Sequence, residues 1–299
     1  MVIKRLSNPD MTIDDVLKIV KGPDFPTGAI VQGKDQIKQA FETGQGRIII
    51  KSKTEIEGQS IIVTEIPYDV NKANLVRKID DIRIKKHIDG IKEVRDETDR
   101  TGLRIVIDVK NTFEPEIILN FLHKKTNLTK SFNYNMVAIN NKRPMLMGIL
   151  PIIDAYILHQ KEVITNRSNY DLRKAQKRLH IVDGIIKMVS VLDEVITLIR
   201  SSKNKKDAKS KLMKAFKFSD EQSEAIVTLQ LYRLSSTDIH ELQQEKEKLQ
   251  NEILGLELIL KNEKELEHVI VDELRTVQKK IANKRLSDIE EEIEKITIQ

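Results

Sequence analysis

Pro23 and Pro26 stand three residues apart between two glycines, in the run Gly22-Pro23-Asp24-Phe25-Pro26-Thr27-Gly28. Proline locks φ and has no amide proton, so this run neither continues a helix nor pairs as a central strand, and it predicts a rigid connector of specific shape. The chain differs in texture on its two sides. Ahead of it, Thr12-Ile13-Asp14-Asp15 is a capping-box-like start, Val16, Leu17 and Val20 supply an apolar stripe, and Gly22 is a stop. That gives one short helix in a lead-in spanning 1–30. After it, Ile48-Ile49-Ile50, Ile61-Ile62-Val63, Ile105-Val106-Ile107 and Met136-Val137-Ala138-Ile139 are short β-branched runs bounded by Gly, Asn or Pro, which read as buried strands. Two helices fall between them. One, at about 71–87, carries Leu75, Ile79 and Ile82 in phase; the other starts at Glu114-Pro115 and carries Ile118, Leu119 and Leu122. Asn140-Asn141 turns a hairpin into Pro144-Met145-Leu146-Met147. Gly44-Gln45-Gly46 lacks a third glycine and runs into a strand, so it is a tight turn and not a nucleotide-binding loop. Residues 31–147 are expected to form an α+β domain.

From Gly148 onward strand signals vanish. Residues 152–181 contain no Gly or Pro, enough for a helix of about 45 Å. A second long segment, 237–285, contains Leu242, Leu249 and Leu256 seven apart, with Ile253 and Leu260 offset by four, the spacing of a coiled-coil seam. The first segment carries the matching stripe less cleanly, as Ile157 and Ile164, then Leu172 and Leu179 after a one-residue slip. An antiparallel pair of arms, 148–181 with 237–285, is the simplest arrangement, with regularity failing near Gly148 and Gly184. Between the arms, 182–236 reads as a compact helical cluster. Ile185, Val189, Leu192, Ile196 and Ile199 form one apolar face, Lys203-Asn204-Lys205-Lys206 a solvated loop, and Ser219-Asp220-Glu221-Gln222 caps a further helix bearing Ala225, Ile226 and Leu229. So small a cluster is expected to be completed by a second copy. Residues 286–299 read as a charged helical tail. Met1 precedes Val2-Ile3-Lys4-Arg5-Leu6, which reads as an element already under way, so the start is expected to lie inside a longer protein.

Composition narrows the chemistry. With 299 residues the chain exceeds one hydrophobic core, and 32% charged residues favour elongated helical parts with solvated faces. The absence of cysteine excludes disulfides and thiolate metal sites. No apolar run approaches 18 residues, so no membrane insertion is expected, and a cytoplasmic setting follows. His87, His123, His159, His180, His240 and His268 are scattered without metal-ligand spacing. Asp96, Glu97 and Asp99 are interleaved with Arg95 and Arg100, which reads as an internally neutralised turn and not a Mg²⁺ site. Among the tyrosines Tyr68, Tyr134, Tyr156, Tyr170 and Tyr232, only Tyr170 has flanking arginines, Arg167 and Arg173, that could activate it, and it lies mid-arm. No catalytic residue and no metal ligand is assigned. Net charge is +5, a mild excess, yet Lys34, Lys38, Arg47, Lys51, Lys53, Lys85, Lys86, Lys142 and Arg143 gather near strand ends and turns. Few aromatics interleave them, which favours contacts to duplex phosphates over stacking on single strands. Lys51 and Lys53 are two apart in an extended segment and share a face, which Arg47 joins if the strand begins there without a bulge.

Four stretches in order carry a family resemblance: the Gly22–Gly28 connector; Ile61-Ile62-Val63-Thr64-Glu65-Ile66-Pro67-Tyr68; Arg95-Asp96-Glu97-Thr98-Asp99-Arg100-Thr101-Gly102; and Leu229-Gln230-Leu231-Tyr232-Arg233-Leu234-Ser235. Together they resemble the A subunits of bacterial type IIA DNA topoisomerases, the topoisomerase IV branch fitting better than the equivalent piece of gyrase. The resemblance implies an α+β tower domain followed by a long antiparallel coiled coil capped by a small all-α dimerisation domain, mainly α overall. It implies a fragment without the winged-helix domain that bears the family's cleaving tyrosine, and without the C-terminal domain, hence inactive alone. The intact enzyme would be an ATP-hydrolysing isomerase that changes DNA topology in chromosome segregation. It would relax and decatenate DNA by double-strand passage as an A2B2 tetramer, using Mg²⁺ and ATP through the topoisomerase IV B subunit, in a nucleoid-associated cytoplasmic setting. Here the implied roles are support of the gate duplex by Lys34, Arg47, Lys51, Lys53, Lys142 and Arg143, and an exit-gate (C-gate) homodimer through Leu229, Leu231, Tyr232 and Leu234. A structural coiled-coil dimer with no DNA role is the remote alternative.

Overall fold

The computed structural model describes residues 1–229 and 236–294. The chain divides into two compact units, Met1–Ile157 with Val277–Gln299, and Leu158–Thr276. In order, the elements up to the hairpin are α1 (Val2–Ser7), α2 (Ile13–Ile19), β1 (Ile30–Gln32), α3 (Lys34–Thr43), β2 (Gln45–Lys51), β3 (Lys53–Glu57), β4 (Ser60–Glu65), α4 (Lys72–Ile84), β5 (Ile91–Asp96), β6 (Ile105–Val109), α5 (Pro115–Lys125), β7 (Thr129–Asn135), β8 (Val137–Asn140) and β9 (Arg143–Leu146). The remainder are α6 (Ile149–Val189), α7 (Leu192–Arg200), α8 (Lys205–Phe216), α9 (Asp220–Thr228), α10 (Ser236–Lys261), α11 (Glu263–Ile281) and β10 (Asp288–Glu290).

The first unit has two four-stranded sheets, β10-β1-β2-β7 and β3-β4-β6-β5, plus the β8-β9 hairpin. Each sheet has its own core. One gathers Val16, Val31, Ile37, Phe41, Ile48 and Ile50; the other gathers Ile61, Val63, Leu75, Ile79, Ile105, Ile107 and Ile118. The Thr12 capping box forms with Asp15, and Val16 on the helix it starts is fully buried, so the lead-in belongs to the first core. β4 and β6 are buried over most of their length, as their β-branched runs predict, whereas β2 buries only Ile48 and Ile50 on one face. β8 is not: Ile139 is 82% exposed and Val137 57%. Its hairpin turns through Asn141 and Lys142, both at positive φ, the geometry of a tight two-residue loop.

The connector is where the unit closes. Phe25 is buried and meets Tyr68 (ring centroids 5.6 Å) and Phe132 (5.2 Å, edge-on). Gly28 takes φ +70°, a conformation that favours glycine, and a Cβ there would come within 2.3 Å of Glu65 Oε2, so a side chain at this position would strain the backbone and displace that carboxylate. From the far end of the sequence, Ser287 accepts the Phe25 amide at its hydroxyl (2.8 Å) and donates to the Gly28 carbonyl (2.8 Å). The Leu286 and Ser287 amides both donate to Asp24 Oδ1 (3.1 and 2.9 Å), and Arg285 donates to the Gly22 and Pro23 carbonyls. β10 then pairs parallel to β1, with Ile289 packed on the first core. The charged tail is therefore an extended strand over 288–290, not a helix. Burial of Ile289 and ladder bonds to β1 outweigh the helix propensity of its glutamates.

In the second unit α6 and α10 run antiparallel. Arg178 holds Glu245 (2.7 Å) near one end, and Lys161 holds Glu263 (2.7 Å), just past α10, near the other. The seam on α6 is Ile164, Ser168, Leu172, Ala175, Leu179 and Val182, buried or half-buried. Its spacing is 4, 4, 3, 4, 3, so the one-residue slip is a single extra 4-step at Ser168. On α10, Leu242, Leu249, Ile253, Leu256 and Leu260 are half-buried, whereas Leu254 and Leu258 are exposed. The return segment is not one arm, however. It breaks at Asn262, and α11 folds back along α10, with Gly255 and Leu258 facing the same groove as His268 and Asp272. Lys161 also holds Glu267 (2.7 Å) and Arg167 holds Glu273 (2.6 Å), so α11 runs parallel to α6. Leu266 and Ile270 on α11 are buried, which is what the break achieves.

The helical cluster encloses its own core of Ile185, Met188, Val195, Leu212, Phe218 and Ile226. The apolar face expected from Ile185 to Ile199 is interrupted, because α6 ends at Val189 and α7 starts at Leu192. Lys205 and Lys206 lie in the first turn of α8, whose N-cap Asn204 accepts the Asp207 amide, so they are helical and not a loop. Gly184 causes no break in α6. It is a contact point: a Cβ there would meet the Gln222 side chain at 2.6 Å. Gln222 completes the Ser219 capping box and donates to the His180 carbonyl (2.8 Å).

Candidate nucleic-acid interface

Alternation along β2 sets the first cation. Ile48 and Ile50 are buried in the core, so Arg47, Ile49 and Lys51 lie on the opposite face of the sheet. Arg47 is exposed, and no carboxylate lies within ion-pair distance of it among the described residues. Lys142 and Arg143 stand at the tip of the β8-β9 hairpin, exposed and likewise unpaired among the described residues. The base of that hairpin is tied to the turn from which β2 starts, through the Met136 amide and the Gly44 carbonyl (2.7 Å).

The other three cations have partners. Lys34 Nζ lies 3.0 Å from Glu291, Lys53 Nζ lies 3.1 Å from Asp288 and 3.9 Å from Glu65, and Lys51 contacts Glu294. Lys38, a further basic residue of this group, holds Asp14 at 2.7 Å. Sequence reading missed this arrangement because the three carboxylates come from the tail, which no local pattern links to α3, β2 or β3. The register makes it direct: Lys51 on β2, Ile30 on β1 and Asp288 on β10 form one row across the sheet. The hydrogen bond to Asp288, and then the charge of Glu65, raise the pKa of Lys53 above its ordinary value. At Asp24 burial opposes ionisation, but the Ser287 and Leu286 amides and Arg285 outweigh it and hold the carboxyl below its usual range.

The remaining candidates separate clearly. The Arg95 turn is neutralised largely from neighbouring elements and not internally as expected: Arg95 pairs with Glu97, Glu93 and Asp108 of β6, Lys72 of α4 and then Thr98 hold Asp96 down at about 2, and Arg100 pairs with no carboxylate among the described residues. Tyr170 is 61% exposed, and its neighbour Arg167 is engaged by Glu273. Leu229 is half-buried against the helical core, whereas Leu231, Tyr232 and Leu234 lie outside the described residues. Among the described residues no three His, Asp or Glu side chains converge as metal ligands, and no helix is long and apolar enough to cross a membrane.

A family model that describes the A subunits of DNA gyrase and topoisomerase IV matches residues 1–275. The chain belongs to that family. It is 55% identical over 302 aligned positions to the A subunit of DNA topoisomerase 4 from Bacillus subtilis (strain 168), covering 99% of this chain and 38% of that protein. It is 53% identical to the protein of the same description from Staphylococcus epidermidis, again over 99% of this chain and 38% of the relative. The Streptococcus pneumoniae one is 51% identical over 98% of this chain and 36% of its own length. The chain thus spans well under half the length of these relatives.

One buried group beside the interface reports on its stability. His123 on α5 is 4% exposed; its Nδ1 shares a hydrogen with Thr129 Oγ1 (2.9 Å), and its Nε2 is buried without a partner among the described residues. Burial, and then the charge of Lys51, pull its pKa down to about 4. Between about pH 6.5 and about pH 4 the unfolded chain binds a proton that the folded one refuses, so stability falls as pH is lowered through that window. Urea unfolding at pH 7 and pH 4.5 should show a loss of about 2–3 kcal/mol from this group, and His123→Gln should remove that part of the slope. Asp24 acts lower, its contribution being present above the ordinary carboxylate range and lost as pH falls through it. An unchanged slope in His123→Gln would contradict the assignment.

Proposed function

We propose that this chain is the duplex-supporting and exit-gate part of the DNA breakage-reunion subunit of an ATP-dependent type IIA topoisomerase of the topoisomerase IV branch. In this reading the intact enzyme passes one duplex through another, relaxing and decatenating DNA. It does so as an A2B2 assembly whose B subunits use ATP and Mg²⁺. Cleavage chemistry lies outside these 299 residues. Two tyrosines support that, Tyr68 being stacked on Phe25 and Tyr134 lying against Phe41, while Tyr170 is exposed on α6 with one of its two flanking arginines, Arg167, already paired.

The observation that carries the DNA role is a group of exposed cations without carboxylate partners among the described residues, Arg47 on β2 and Lys142 and Arg143 at the tip of the hairpin whose base is tied to the turn from which β2 starts. Unpaired cations on a rigid sheet and a tight hairpin meet phosphates without first giving up a salt bridge, and they carry no base readout, so binding is sequence-independent and salt-sensitive. In fluorescence anisotropy with a short duplex, Lys142→Ala with Arg143→Ala should weaken binding equally for unrelated sequences. It should also flatten the plot of log affinity against log salt by about 2. An unchanged slope would remove the hairpin from the interface.

The dimer role rests on the helical cluster and on the Leu229–Leu234 segment that leaves it. Sedimentation over a concentration series should give a dimer of about 69 kDa, twice the 34.5 kDa of the chain, which Leu231→Glu dissociates. A monomer at every concentration would mean that the helical cluster closes on itself around Ile185, Leu212 and Ile226.

A further inference from the structure

Residues 285–294 are held at two levels of strength. The backbone is fixed firmly: Ser287 is 1% exposed and doubly hydrogen-bonded, and the Asp288 amide donates to Ala29. The Gly33 and Lys34 amides donate to the carbonyls of Glu290 and Glu291 (3.2 and 3.0 Å). Ile289 packs into the core, and Ile293 lies over Gly33. The side chains are held loosely. Five of the seven residues from Asp288 to Glu294 are acidic, and Asp288, Glu291 and Glu294 each reach one lysine across the surface. Lys34 and Lys53 remain 58% and 41% exposed in these pairs, and Glu291 77%. Exposed pairs of this kind contribute no more than about 1 kcal/mol each.

We propose that the acidic run Asp288–Glu294 is a built-in competitor of DNA phosphate, a counter-ion strap that occupies Lys34, Lys51 and Lys53 in the free protein and yields them to the phosphates of a duplex. This rests on the DNA-binding reading given above and adds to it which cations are masked, and by what. The partner is a polyanion because the site is a row of ammonium groups already filled by a row of carboxylates. Exchange needs no unfolding. The strap's backbone stays on β1 and α3 while three side chains swing away, so the surface answers to DNA and to salt without loss of structure. Lys51 is the most enclosed of the three, 17% exposed, and is released last. The strap lowers affinity in proportion to the cations it covers, since each lysine given to a phosphate releases one condensed counterion and each lysine held by the strap releases none.

The test compares the chain with the variant Asp288→Asn, Glu291→Gln, Glu294→Gln in anisotropy titrations with the same duplex at several salt concentrations. A control of equal charge change, Glu114→Gln, Glu116→Gln, Glu162→Gln, alters exposed carboxylates that hold no lysine among the described residues. The strap variant should bind on the order of tenfold more tightly at low salt, with a slope steeper by about two to three, and well beyond the control. Adding Lys34→Ala and Lys53→Ala to it should cancel most of that gain, whereas in the parent chain the same two changes should alter affinity less than Lys142→Ala with Arg143→Ala does. A strap variant no tighter than the control overturns the proposal. So does a parent chain that loses as much on removal of Lys34 and Lys53 as on removal of the hairpin pair, a comparison that holds even if the strap variant folds poorly. Absence of duplex binding by every protein would sink the DNA reading itself, and is thereby told apart from failure of the strap alone.

Discussion

Much of the first unit depends on how the Gly22–Gly28 connector is gripped from both sides. On one side Phe25 is wedged between Tyr68 and Phe132, and on the other the Ser287 hydroxyl bridges the Phe25 amide and the Gly28 carbonyl. Truncating a buried aromatic costs about 3–5 kcal/mol, and leaving a buried donor and acceptor unpaired about 1–3 kcal/mol more. The grip joins positions 262 residues apart. Without it β1 would be an open edge, the Gly33 and Lys34 amides at the start of α3 would lose their acceptors, and the carboxylates of the tail would leave the lysines of α3, β2 and β3. Structure and electrostatics of the candidate interface therefore share one origin.

What the sequence discloses divides by range. Capping boxes at Thr12 and Ser219 are legible because a helix start is written within four residues. Triple β-branched runs disclose β2, β4 and β6 because strands buried on the core face need them. β3, β5 and β7 escape notice: Lys53–Glu57, Ile91–Asp96 and Thr129–Asn135 are largely polar, since these strands face solvent over much of their length. The tail misleads because glutamate favours helix locally, while the forces that make it a strand come from β1 and the core. The break at Asn262 carries neither Gly nor Pro and shows only in the burial of Leu266 and Ile270 against α6 and α10. At the interface every cation can be picked from the sequence, yet their division into masked and open cannot, because Asp288, Glu291 and Glu294 stand more than 230 positions from the lysines they hold.

Electrostatically the two groups of cations suit different tasks. Arg47, Lys142 and Arg143 present standing positive charge not balanced by a carboxylate among the described residues, which in the proposed reading draws a polyanion in. Lys34, Lys51 and Lys53 carry charge already balanced, so they add to binding only where a phosphate outcompetes a carboxylate. A net charge of +5 understates the first group and overstates the second. In the second unit the same economy holds for apolar surface: Ile185, Val195, Leu212 and Ile226 pack on one another within the chain.

The most direct test of the grip is native-state hydrogen exchange at the connector and the tail. If the grip is one cooperative structure, the amides of Phe25, Ala29, Leu286, Ser287 and Asp288 open with a common free energy, and Ser287→Ala lowers all of them together by about 1–3 kcal/mol while leaving the Ile61–Val63 and Ile105–Ile107 strands protected. Free exchange of the tail amides beside a protected Phe25 would show that the tail is an accessory, and that the connector is shaped by the aromatic cluster alone.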